Sequence, residues 1–347
     1  MTGWLGGLEE RARTVLPAPV AEYVAQGARE SLTTAAAVGA WREHRFLPHV
    51  LRDVTDVDPG VELLGRRSEL PWGVAPTTLQ RAVHPEGELA MARATHAAGG
   101  LVVVSSNAGT PFAEIGETGA RWWLQAYLPA DRTLAEPMLA RARDAGAEAV
   151  VLTVDTPVVA TKYAAGESVW ATVDPGLVRV NFGPDHEGRP GADKATDLGP
   201  HDLDWLRETA GLPVVVKGVL RPDDARRCVE AGAAAVWVSN HGGRQLDRAA
   251  TTAHALPAVA AEVGADAEVY VDGGLRTGLD VLTALALGAD AAFLGRPPLW
   301  ALAEGETGVA RLHAELLEET VEALRLAGCR TVADTRGLLA TPPVPGA

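Results

Sequence analysis

Cysteine is nearly missing from these 347 residues: Cys228 and Cys329 are the only two. Two thiols build no disulfide framework. They suit a reducing cytoplasm and read as small buried hydrophobes rather than catalytic groups. Positive charge is also scarce, with Lys+Arg 31 against Asp+Glu 45 and a formal net charge of −14. Nucleic acid and anionic membrane surfaces need clustered Lys and Arg to displace counterions, so neither is an expected partner. A local basic pocket inside an acidic shell remains compatible with that balance. No apolar run is long enough to span a bilayer. The first ten residues lack the basic stretch and apolar core of a secretory signal, so no targeting segment is expected. No Gly-x-Gly-x-x-Gly follows a strand and opens a helix, which speaks against a Rossmann-type NAD site.

What the chain does have is core: 47% of it is hydrophobic. Short apolar, β-branched runs recur at 72–75, 101–105, 123–127, 149–154, 213–217, 235–239, 268–272 and 291–295. Continuous apolar runs of this length suit strands buried on both faces of a parallel sheet. Helical periodicity fills most gaps, at 86–98, 134–145, 222–231, 252–263 and 278–287. Eight alternating β/α units predict an α/β fold, a (β/α)8 TIM barrel over 71–347. Residues 1–70 read as two or three helices packing on it as an N-terminal extension. No linker separates independent domains, and 163–200 forms a long loop after the fourth strand, of the kind that serves as a lid.

Barrel enzymes place their chemistry at the C-terminal ends of the strands. The polar residues collect there: Thr77, Ser105, Ser106, Gln125, Tyr127, Thr153, Asp155, Lys217, Asn240, His241, Asp272 and Arg296. The most informative stretch is Ser239-Asn240-His241-Gly242-Gly243-Arg244-Gln245-Leu246-Asp247. A histidine there suits proton abstraction near neutral pH. An arginine three residues on can hold a carboxylate with two parallel hydrogen bonds. Alone, His-Gly-Gly would be an ordinary tight turn.

The nonapeptide resembles the fingerprint of the FMN-dependent 2-hydroxy acid oxidases and dehydrogenases. The likeness extends to Ala75-Pro76-Thr77, His84-Pro85-Glu86-Gly87-Glu88, Thr153-Val154-Asp155-Thr156-Pro157, Val216-Lys217-Gly218, Asp272-Gly273-Gly274-Leu275-Arg276 and Gly295-Arg296-Pro297, in that family's order. The resemblance implies FMN as cofactor and oxidation of an L-2-hydroxy acid to the 2-oxo acid. By it, His241 is the base and Asp155 stabilises its imidazolium. Arg244 grips the substrate carboxylate with Tyr23, Tyr127 and Lys162. Lys217 faces the flavin; Ala75, Pro76, Thr77, Ser105, Gln125, Thr153 and Ser239 line the ring. Asp272, Gly273, Gly274, Arg276, Gly295 and Arg296 form the phosphate site. No metal is implied. The electron acceptor is O2 or another oxidant, the setting cytoplasmic, and the assembly a homo-oligomer, a tetramer by resemblance.

The chain departs from that family around the substrate. Lys162 stands where an arginine is usual, which keeps the charge but loses the fork. Asn107 replaces a bulkier residue, and Trp170 and Arg179 have no clear counterpart. These changes predict a pocket with room beyond glycolate or lactate. Competing readings are an FMN barrel of other chemistry, isomerase or monooxygenase-like, and a silent barrel kept as a scaffold. The His241–Arg244 pair with Tyr23 and Tyr127 argues against the isomerase, and intact His241, Asp155, Lys217 and Arg244 argue against the scaffold.

Overall fold

The computed structural model describes residues 3–163, 169–183, 186 and 188–340. Three helices open it: α1 (Leu8–Val15), α2 (Ala18–Ala25) and α3 (Leu32–Trp41). Beyond them lies a hairpin, β1 (Val61–Leu63) and β2 (Arg66–Ser68), that the expectation of helices over 1–70 does not include. Leu64 and Gly65 between its strands have φ of 48° and 73°. That pair of positive values is the two-residue turn whose twist suits a hairpin. Three-residue strands are too short to display a period.

The barrel strands follow: β3 (Trp72–Val74), β4 (Leu101–Ser105), β5 (Arg121–Ala126), β6 (Val150–Thr153), β7 (Val214–Val219), β8 (Ala235–Val238), β9 (Glu268–Val271) and β10 (Ala291–Leu294). Each coincides with one predicted run. All pair in parallel, and β10 closes on β3. The five periodic stretches are the helices Gly87–Ala97, Glu136–Asp144, Pro222–Glu230, Thr252–Val263 and Gly278–Ala286. Pro222 sits in its helix's first turn, where the missing N–H costs nothing. Thr277 and Asp280 form a reciprocal cap on another.

Strand side chains alternate, so one parity faces the helices and the other the barrel axis. Val102, Val104, Val150, Leu152, Val214 and Val216 belong to the outer core. Leu101, Val103, Trp123, Val151, Val215, Trp237, Tyr270 and Phe293 fill the axis. The four aromatics there interlock, Trp237 and Phe293 with ring centroids 3.9 Å apart. Gly73 makes room: a Cβ on it would lie 2.4 Å from Phe293. The hairpin covers the N-terminal end, where Leu63 is fully buried among the axial residues and Leu64 N donates to Glu268 at the start of β9.

Of the predicted 163–200 loop, a short helix (Val169–Thr172) and a bridge from Lys194 to Pro129 are seen. Residues 164–168, 184, 185 and 187 of that loop lie outside the described residues, as do 1, 2 and 341–347. Among the described residues no helix is long and apolar enough to cross a membrane.

Candidate active site

One step beyond the aromatic layer the axial parity turns polar. Ser105, Gln125, Thr153 and Lys217 occupy that step on β4 to β7, with Ser105 level with Gln125 and Thr153 with Lys217. Ser105 Oγ donates to Gln125 Oε1 at 3.1 Å, and Gln125 Nε2 to Thr153 Oγ1 at 3.1 Å. These residues floor a cavity of about 770 Å³, whose walls include Ala75, Pro76 and Thr77. Such a volume suits a cofactor and a small substrate together.

Lys217 is buried, and its ammonium is held by Ser239 Oγ at 2.9 Å and Asp272 Oδ2 at 3.1 Å. Ser239 also donates to Asp272 Oδ1 at 2.6 Å and accepts from His241 N at 3.0 Å. Ser239 is fully buried and is not on the cavity wall. It braces Lys217 and fixes the start of the next loop.

In that loop His241, Gly242 and Gly243 are successively left-handed, with φ of 57°, 61° and 75°. Glycine adopts this freely, whereas a residue bearing Cβ is strained there by roughly 1–2 kcal/mol. Gly243 also admits α3, since a Cβ would lie 2.6 Å from Thr34 N. The twist brings His241 Nδ1 to 2.9 Å from Asp155 Oδ1. Burial alone would raise the Asp155 carboxyl, but the charge and hydrogen bond of His241, with the charge of Lys217, hold it below its ordinary value. An ionised Asp155 makes Nδ1 the proton-bearing nitrogen. Nε2 has no protein partner among the described residues, on a side chain that lines the cavity.

Arg244 Nη1 is spent on the carbonyls of Tyr23 (2.7 Å) and Gln26 (2.9 Å), and its guanidinium lies over the Tyr23 ring at 4.7 Å. Among the described residues nothing engages Nε and Nη2, which leaves their N–H groups as a fork. Tyr127 lines the same space; burial and the Asp155 charge push its hydroxyl up, which keeps it a proton donor. Lys162 also reaches the cavity, but its Nζ donates to Ala160 O (2.8 Å) and Arg244 O (2.9 Å). It ties the loop after β6 to the main chain of Arg244. Burial and the Arg244 charge push it down to about 8.

At the other end Gly273, Gly274 and Gly295 line the wall beside Arg276 and Arg296. A Cβ on Gly274 would lie 2.4 Å from Ala37 O of α3, whereas one on Gly295 would meet nothing within 4 Å. Neither arginine has a carboxylate within ion-pair distance among the described residues. Arg296 instead donates to the carbonyls of Val24, Gly242 and Gln26. Burial pushes Arg276 down to about 10; burial and the charges of Arg244 and Arg276 push Arg296 down to about 9. Since a guanidinium does not surrender its proton in proteins, this strain is an unmet demand for an anion. A phosphate ester among glycine N–H groups meets it, and the polar floor matches a flat heteroaromatic ring, so the cavity fits FMN.

All the predicted site residues thus converge on one cavity, Asp155 and Ser239 standing just behind its wall. Four contributors went unread. Thr156 Oγ1 lies 3.2 Å from Asp155 Oδ1 and accepts from Gln245 Nε2 at 2.9 Å. Gly218 clears space for Asp155, and Asp247 accepts from Thr33 N of α3 at 2.9 Å. All lie inside the recognised motifs, but their tasks depend on cross-chain contacts. The fourth, Lys194, lies in the loop and carries no motif at all.

The fold and the site define a flavin-dependent barrel oxidoreductase, and comparison with known proteins supplies the family. The chain belongs to the FMN-dependent dehydrogenase family, which matches residues 12–341, and its cofactor is FMN. It is an FMN-dependent oxidoreductase of the 2-hydroxy acid-oxidising class. It is 40% identical over 349 residues to 4-hydroxymandelate oxidase of Amycolatopsis orientalis, covering 96% of this chain and 97% of that one. It is 37% identical to human 2-hydroxyacid oxidase 1, covering 93% and 92%. The solved structure of mandelate oxidase with benzoyl-formic acid superposes with a TM-score of 0.90 at 39% identity, covering 98% of both chains.

Proposed function

We propose that this protein oxidises the C2 hydroxyl of an L-2-hydroxy acid, with His241 as the base. The observation that carries the reading is the His241–Asp155 pair. It commits Nδ1 as donor and leaves Nε2 as the acceptor in a cavity that also holds the Arg244 fork. Arg244, with Tyr23 and Tyr127, binds the substrate carboxylate and so fixes C2 relative to Nε2. His241 takes up the proton released during oxidation, and ionised Asp155 stabilises the resulting imidazolium. FMN, when bound, accepts the two electrons. Ser105, Gln125, Thr153 and Lys217 would hold its ring, and the glycines with Arg276 and Arg296 its phosphate. Lys217 would supply the positive charge that favours electron gain by the ring.

Dioxygen is the acceptor we favour, because the relatives are named as oxidases. The family resemblance and the scarcity of cysteine support a cytoplasmic homo-oligomer; exposed Leu47, Val50 and Leu51 offer it an apolar contact. The decisive experiment mixes the yellow holoenzyme anaerobically with a panel of 2-hydroxy acids. Bleaching, with the 2-oxo acid formed, is expected. A flavin that stays oxidised with every member would refute the reading.

A further inference from the structure

We infer that Lys194 contacts the substrate and selects 2-hydroxy acids that carry a second carboxylate on the side chain beyond C2. The inference deepens the activity proposed above and rests on it. Its main chain is fixed where β5 ends, next to Tyr127: Lys194 bridges Pro129, and Ala195 N donates to Leu128 O at 2.9 Å. Its side chain lines the cavity, with Nζ 3.7 Å from the centroid of the Tyr127 ring.

Every other cation at the cavity has work or a partner. Lys217 is taken by Asp272 and Ser239, and Lys162 by two carbonyls. Arg244 is the clamp for the first carboxylate, Arg276 and Arg296 stand at the phosphate end, and Arg179 donates to Asn107. Lys194 has a π face and, among the described residues, no hydrogen-bond acceptor for any of its three N–H groups. A half-buried ammonium so placed is short of acceptors. Burial, then the charge of Arg179, push it down to about 8, with Lys162 adding to the shift and Asp155 opposing it. It is therefore still charged at neutral pH, in surroundings with a surplus of positive charge.

Position supplies the rest. Tyr127 lines the same cavity as Tyr23 and the clamp Arg244. Lys194 covers the face of the Tyr127 ring. A substrate whose first carboxylate sits on Arg244 would run its side chain along Tyr127 and bring a distal carboxylate to Lys194. A charge-assisted hydrogen bond there would discriminate against a side chain of the same length ending in methyl.

The test uses the holoenzyme and matched pairs: malate against 2-hydroxybutyrate, and 2-hydroxyglutarate against 2-hydroxypentanoate. Wild type should favour the diacid at least tenfold in kcat/KM, mostly through KM. Lys194→Met should reduce that ratio at least tenfold, and Lys194→Arg should keep most of it. In wild type the ratio should fall as pH rises past about 8. Arg179, Asp155, Lys162 and Tyr127 also face this ammonium, so the pH trend must be absent from Lys194→Met. Because each ratio is taken within one protein, lost stability does not mimic the effect. Should Lys194→Met fail to retain FMN, wild type and Lys194→Arg still decide the matter. Preference for the monoacid in wild type, or an unchanged ratio in Lys194→Met, would overturn the inference while leaving the oxidase reading intact. Flavin bleached by no hydroxy acid would overturn both.

Discussion

Gly218 lies against Asp155: a Cβ on it would sit 2.7 Å from both Cβ and Cγ of the aspartate, and its φ is +113°. The register of β7 with β8 shifts at this glycine, between Lys217 and Val219. The irregularity leaves Lys217 pointing to the axis while opening a place for the carboxylate that orients His241. Gly218→Ala should push Asp155 off Nδ1 and strain the backbone by about 1–3 kcal/mol. We expect turnover to fall tenfold or more with FMN content retained. Normal flavin reduction by Gly218→Ala would show that the close approach is inconsequential.

His241→Gln should keep its flavin, because no part of the phosphate cradle is touched. Its rate of anaerobic flavin reduction should drop about 10²–10⁴-fold, the usual worth of a positioned base. Stopped-flow absorbance measures this directly, and a near-normal rate would remove His241 from the role of base.

Lys217→Met has two separable effects. The flavin should become harder to reduce, since a buried cation beside it is gone. The protein should also lose stability, on the order of 3–5 kcal/mol, because Asp272 is left buried without its partner. Adding Asp272→Asn should recover part of the stability and, because it removes a negative charge from the same cavity, part of the potential as well. If the single variant titrated at the wild-type potential, Lys217 would not face the ring.

Much of this was legible because the barrel obeys parity. Ser105, Gln125, Thr153 and Lys217 share the parity of Val103, Trp123, Val151 and Val215, so a reader who finds the axial residues has found the floor. Ser239 follows the same rule, yet burial by Lys217 and Asp272 removes it from the wall, and no periodicity could reveal that. The hairpin at 61–68 escaped because its strands are shorter than one readable period. Lys194 escaped for another reason: its position comes from a single bridge to Pro129, a contact between segments distant in sequence.

Lys162 tests the difference between a ligand and a tether. Its two hydrogen bonds to Ala160 O and Arg244 O predict that Lys162→Met loosens the clamp, raising KM for every 2-hydroxy acid by a similar factor while kcat changes less. A large effect on one substrate and none on the others would instead mark Lys162 as a direct contact.

His313 gives the fold an acid limit. It is fully buried, accepts from Trp72 Nε1 at 3.2 Å and lies 3.1 Å from Thr95 Oγ1, and burial pushes it down to about 4. The folded protein keeps the ring neutral, whereas the unfolded chain protonates it near its ordinary value of about 6.5. Its contribution is thus complete above that value and is lost as pH falls toward 4, at up to about 1.4 kcal/mol per pH unit. Denaturant titrations between pH 7 and 4 should show this slope, and His313→Gln should flatten it.

The hairpin and the aromatic layer together turn the barrel into a blind well. Among the described residues the axis is filled at that end, so the cavity faces the loops at the C-terminal ends of the strands. On the role proposed for Arg244, a product held there would obstruct an acceptor that approaches from the same side. On that reading the grip that captures substrate would also set how quickly the next turnover can begin.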